Sequence, residues 1–125
     1  MEKVENLSNA IEEKRRHPRV ESNLPVQYRN LKKVVALPTG SLSTNISEGG
    51  VRFKSNEFIS LACRLILEIT LPTTSRPIKA ISKVAWIRKL PSGEAYELGN
   101  QFIDMTKEDK EHILVFINNL LRKSI

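Results

Sequence analysis

Cysteine is almost absent, since Cys63 is the one thiol in 125 residues. One thiol cannot form a disulfide within the chain, so no oxidised framework holds this fold, and a reducing compartment is expected. Cys63 itself, inside the apolar run "SLACRLIL", reads as a small buried hydrophobe. Aromatic residues make up only 6% of the chain. That is few for the exposed rings on which single-stranded nucleic acids stack. No window approaches the roughly 20 consecutive apolar residues of a membrane-spanning helix. The opening "MEKVENLSNAIEEK" has no apolar core of signal-peptide length. A cytoplasmic location is therefore expected. The two histidines, His17 and His112, lie far apart without a spaced metal partner, and a lone cysteine makes no zinc knot. There is no phosphate loop with its lysine and no GxGxxG. The carboxylates Glu12, Glu13, Glu108, Asp109 and Glu111 fall on helix-like surfaces rather than in a catalytic constellation. An enzyme, a metal site and a cofactor are not expected.

What is present is a soluble composition, 40% hydrophobic and 27% charged, with a net charge of +6. The length suits one domain able to bury its own core. The positive balance favours an anionic partner: nucleic acid, a nucleotide or an acidic protein.

Val4, Leu7 and Ile11 recur at helical spacing, so residues 1–13 are predicted to form a short helical lead. Residues 14–125 are predicted to form one domain that includes the C-terminal helix. Strand-like alternation begins at Leu24, Val26 and Tyr28 and returns at Leu42, Thr44 and Ile46. Val51 and Phe53 continue it, followed by the run from Leu65 to Leu71. Ile78, Ala80, Val84 and Trp86 share one parity, while Ile81, Ala85 and Ile87 share the other, which predicts a bulge or a strand buried on both sides. Tyr96, Leu98, Asn100 and Phe102 complete the series. About six short strands separated by turn residues predict a mainly β fold, an antiparallel barrel or sandwich, with the barrel preferred because closure removes exposed edges. Thr106 and Asp109 resemble a capping box, and Ile113, Leu114, Phe116, Ile117, Leu120 and Leu121 mark one face of an amphipathic C-terminal helix.

Two stretches carry chemistry. "KRRHPRV" places Lys14, Arg15, Arg16 and Arg19 just before the first strand. It is either a solvated basic arm or an anion clamp. Guanidinium groups bind phosphate as a planar fork, stack on bases and stay charged. "NISEGG", Asn45 to Gly50, is either a plain hairpin turn or a nucleotide seat. In the second reading Asn45 offers an amide to a base edge and Ser47 a hydroxyl to a phosphate. Gly49 and Gly50 let the backbone approach closely.

Arg15-x-x-x-Arg19 followed by Asn45-x-Ser47-x-x-Gly50 resembles the signature of the PilZ domain family, bacterial receptors for the second messenger cyclic di-GMP. The resemblance runs from Lys14 to the final helix, with "VAWIRKL" and "YELGNQF" similar to the family's closing strands. It implies a six-stranded antiparallel PilZ-type barrel and a receptor that changes conformation on binding and signals to a downstream protein. Arg15 and Arg19 would then stack on guanine and grip phosphates, with Arg16 adding charge or a guanine contact. Asn45 would bond a guanine edge, Ser47 a phosphate, and Gly49 and Gly50 would leave room. Trp86 is a second-choice stacking wall; a core tryptophan on a buried strand is the preferred reading. Lys14, immediately before the motif, implies an intercalated pair of cyclic di-GMP molecules. The competing readings are a basic barrel that binds RNA or single-stranded DNA, which the scarcity of aromatics disfavours, and a PilZ-like adaptor without nucleotide.

Overall fold

The computed structural model describes residues 18–33, 37–91 and 93–123. The expected helix over 1–13 lies outside them. The elements are β1 (Val20–Glu21), β2 (Pro25–Asn30), β3 (Thr39–Ser47), β4 (Gly50–Ser55), β5 (Arg64–Ile69), β6 (Ile78–Lys89), β7 (Tyr96–Asp104) and α1 (Lys107–Lys123). Six strands pair antiparallel in the cyclic order β3-β2-β5-β6-β7-β4, and the β3–β4 pairing closes the barrel. The two-residue β1 continues the line of β2 along the same edge of β3. Between them the ladder is kept by Ser22 N–H to the Thr44 carbonyl (3.1 Å) and Ser43 N–H to the Leu24 carbonyl (2.9 Å).

Alternation fills the interior. Val26 and Tyr28, Val51 and Phe53, and Leu65, Leu67 and Ile69 all point inward and are nearly inaccessible. The Tyr28 and Phe53 rings pack with centroids 4.9 Å apart. The Tyr28 hydroxyl donates to Ser55 Oγ (3.0 Å), which satisfies its buried polar end. Cys63 is half-buried at the edge of this core rather than within it, and its sulfur accepts from Asn30 Nδ2.

Two strands change parity midway. In β3 the pairing with β4 slips between Ser43 and Asn45. Ile46 therefore enters the core, whereas Leu42, expected on the same face, stands 55% exposed. In β6 the pairing with β7 slips between Val84 and Trp86, so Ala85 is the extra residue. Val84 is buried before it and Ile87 packs on the core after it, which turns Trp86 outward. The preferred reading of Trp86 as a core residue is thereby corrected.

Helix α1 covers the barrel with Ile113, Phe116 and Ile117, which join the same core; Leu114 and Leu120 are only partly covered and Leu121 is exposed. Thr106 Oγ1 accepts from Asp109 N–H (3.1 Å), as a cap requires. The reciprocal half of the expected capping box does not form. The Asp109 carboxylate instead accepts from Lys79 N–H (3.1 Å) and fastens the helix start to β6.

Phe53→Ala is expected to lose about 3–5 kcal/mol of unfolding free energy, the usual cost of emptying a buried aromatic site. Leu42→Ala should stay within about 0.5 kcal/mol, as exposed positions do. Denaturant unfolding of the two variants checks both values.

Candidate functional site

The β1–β3 pairing sets Val20 opposite Ile46 and Glu21 opposite Asn45. Arg19, one residue earlier, is thereby carried next to Asn45, and its Nη1 donates to Asn45 Oδ1 at 3.2 Å. Asn45 and Ser47 flank the core residue Ile46, so both leave the strand on its outer side. Their surroundings differ. Asn45 is half-exposed, whereas Ser47 is 2% exposed. The Ser47 hydroxyl accepts from Gly49 N–H (3.1 Å) and donates to the Gly50 carbonyl (3.5 Å). It therefore builds the tight β3–β4 turn. A Cβ on Gly50 would lie 2.1 Å from the Asn100 carbonyl oxygen. The space Gly50 leaves is thus taken by the β7 backbone. Gly49 adds a bond across the same junction, its carbonyl accepting from Phe102 N–H at 2.9 Å.

Beside this turn opens a cleft of ≈ 640 Å³. Arg19 and Ser47–Gly50 line one part of it, Trp86 and the β7 stretch from Gly99 to Asp104 another, and Met105 and Lys110 of the helix junction a third. The Trp86 indole packs close against β7 because Gly99 has no side chain: a Cβ there would fall 2.2 Å from two ring atoms. The Arg52 guanidinium sits 5.0 Å from the indole centroid, in cation–π range. The outer barrel face next to the turn therefore carries an indole with a guanidinium over its ring.

A carboxylate organises the same face. Glu97 is 7% exposed; its Oε2 accepts from Thr44 Oγ1 (2.8 Å) and its Oε1 from Arg88 Nη2 (2.5 Å). Burial alone would raise its pKa. The hydrogen bonds from Arg88 and Thr44, together with the charges of Arg88 and Arg52, outweigh burial and hold the carboxyl below its ordinary value. Arg52 Nε and Asn100 Nδ2 are buried and find no hydrogen-bond partner among the described residues. Asn100 Oδ1 does accept from Ser82 Oγ, at 3.1 Å. Among the described residues, no three of His, Cys, Asp or Glu are grouped to hold a metal ion.

The PilZ domain model matches residues 13–119. The chain belongs to the PilZ domain family. No curated protein matches it. Solved structures similar to it include the Bacillus subtilis inhibitor of motility (MotI/DgrA), at 23% identity and a TM-score of 0.71, covering 86% of this chain and 51% of that one. The PilZ domain of Escherichia coli YcgR with c-di-GMP matches at 14% identity and TM-score 0.66, covering 87% of this chain and 92% of that one. The K. pneumonia MrkH–c-di-GMP complex matches at 17% identity and TM-score 0.65, covering 87% and 53%. This PilZ domain thus spans about half the length of the first and third of these proteins.

Of the motif residues, the structure of this PilZ domain brings together Arg19, Asn45, Ser47, Gly49 and Gly50, and adds Trp86. Lys14, Arg15 and Arg16 lie outside the described residues. Sequence reasoning passed over Arg52, Arg88, Glu97 and Gly99. Gly99 did carry a signal, since a glycine inside an alternating strand marks a close approach. The three charged residues carried none, because cross-strand neighbours share no spacing in sequence.

A group whose folded pKa is depressed stabilises the fold above its unfolded pKa and loses that contribution as pH falls through the folded value. Glu97 is such a group. Thermal stability should therefore fall on acidification through and below the ordinary carboxylate range, and Glu97→Gln should flatten that acid limb. Melting temperature against pH for both proteins checks it.

Proposed function

We propose that this PilZ domain is a non-enzymatic receptor for cyclic di-GMP. The observation that carries the reading is the Arg19–Asn45 hydrogen bond, which joins two motifs 26 residues apart beside the cleft that Arg19, the glycine turn and Trp86 line. The ligand chemistry fits those groups. Each guanine has a flat face for the indole and a donor–acceptor edge for the Asn45 amide. Each phosphate is an acceptor for guanidinium forks. Arg19 contacts guanine and phosphate in this reading, and Arg15 and Arg16 supply further cations. Ser47 acts by holding the turn and its N–H groups toward the phosphate, with Gly49 and Gly50 forming the bare backbone beside it. Binding draws the arginine segment over the barrel and changes the surface offered to a downstream protein.

Calorimetric titration with cyclic di-GMP, GTP and a short oligonucleotide tests the class of ligand. Cyclic di-GMP should bind at micromolar or tighter Kd, more weakly as salt rises, and should alter the fluorescence of Trp86, the sole tryptophan. Arg19→Ala should cost ~1.5–3 kcal/mol of binding, the scale of hydrogen bonds to charged groups, with an unchanged melting temperature. Heat from the oligonucleotide alone would move the protein to the nucleic-acid class, and no response to any of the three would leave an adaptor.

The ligand is proposed to bind as an intercalated pair. Two stacked molecules carry four phosphate charges in a small volume, and Lys14 with Arg15, Arg16 and Arg19 offsets that repulsion better than two cations could. The titration should saturate near two ligands per chain, and Lys14→Leu should lower the ratio to near one. A ratio near one for the unaltered protein rejects the pair.

A further inference from the structure

We infer that Lys110, on the first turn of α1, is a further ligand-binding residue of this cleft and supplies a phosphate-binding cation from the helix. The inference rests on the receptor reading above. The motif cations all precede β1 in the chain, whereas Lys110 lines the cleft from the β7–α1 junction, a wall that carries none of the motif. The charge balance of the cleft calls for such a group. Its described lining includes two carboxylates, Glu48 and Asp104, and two cations, Arg19 and Lys110. Without Lys110 this part of the lining is net negative and repels a doubly anionic dinucleotide. The nearby arginines Arg52 and Arg88 are engaged with Trp86 and Glu97.

The position of Lys110 is built rather than incidental. Its N–H donates to the Thr106 carbonyl (3.0 Å), inside the turn that the Thr106 hydroxyl caps. Asp109, its neighbour, fastens that turn to the β6 backbone through Lys79 N–H (3.1 Å). The lysine stem therefore starts from a fixed point, while its exposed ammonium keeps three rotatable donors for phosphate oxygens. A ligand held by Arg19 and Lys110 together ties α1 to the start of β1, so occupancy of the cleft is felt by the helix. Lys107, in the same helical turn, is not part of the cleft lining.

The test compares cyclic di-GMP titrations of the parent chain with Lys110→Gln, Lys110→Arg and Lys107→Gln. The two glutamine variants change the net charge equally. Lys110→Gln should weaken binding about tenfold, as loss of a charge-assisted contact does, with a shallower salt dependence. Lys107→Gln should stay within about twofold, and Lys110→Arg should bind close to the parent. Melts of each variant confirm that the exposed substitutions leave the fold intact. Equal affinity for the two glutamine variants overturns the role of Lys110 while leaving the receptor reading in place. A parent chain that binds no cyclic di-GMP removes the receptor reading itself, and Lys110 with it.

Discussion

The candidate site depends on the pairing of two residues of β1 with the end of β3. Val20 opposite Ile46 and Glu21 opposite Asn45 are its whole register. So short a ladder is weak, because each backbone hydrogen bond nets about 0.5–1.5 kcal/mol. Val20 reinforces the ladder. It is 7% exposed within the core, and burying a valine side chain contributes roughly 1.5–3 kcal/mol. The inserted side chain therefore contributes on the same scale as the short ladder, and the two together hold the segment. Because Val20 points inward, Arg19 is placed at the outer edge of the strand beside Asn45. Helix α1 packs against both β1 and β3, so it supports the same pairing from outside.

The outer face is shaped by two extra residues. A barrel strand that alternates without interruption sends every second side chain inward, and a one-residue slip reverses the faces. The slip at Thr44 releases its hydroxyl to Glu97, and the slip at Ala85 releases Trp86 onto Gly99. Each bulge gives up local pairing and turns a side chain, the Thr44 hydroxyl or the Trp86 indole, onto the same outer surface. Gly50 and Gly99 complete the arrangement by different means. One admits a backbone carbonyl and the other an aromatic ring.

A face proposed to bind anions that contains a buried carboxylate needs a physical account. Glu97 is paired with Arg88, bonded by Thr44 and close to the charge of Arg52. The carboxylate therefore neutralises part of a cationic cluster whose like charges would otherwise repel one another. Arg52 in turn lies beside the indole, its Nε withdrawn from water. These contacts hold the indole and the guanidinium in place, and a preorganised group loses little entropy when it binds a ligand.

Sequence by itself determined the antiparallel β architecture, the final helix and the motif pair, and the β3–β4 pairing decided that the sheet closes into a barrel. Period-two alternation between turn residues leaves few other architectures, and arginine, asparagine and glycine at set spacings carry chemistry that neighbouring residues cannot disguise. The polar network was out of reach, because Thr44, Arg52, Arg88 and Glu97 meet across four strands and share no local pattern. Trp86 shows the same limit more sharply. Its parity matched buried Ile78, Ala80 and Val84, yet it faces outward. A bulge is chosen by how two strands must bend to close the barrel, and that is a property of the pair. Tertiary structure alone decided it, as it decided that Ser47 builds the turn and that Lys110 reaches the cleft. Each outcome follows from backbone distances between segments far apart in the chain, which no single stretch of residues contains.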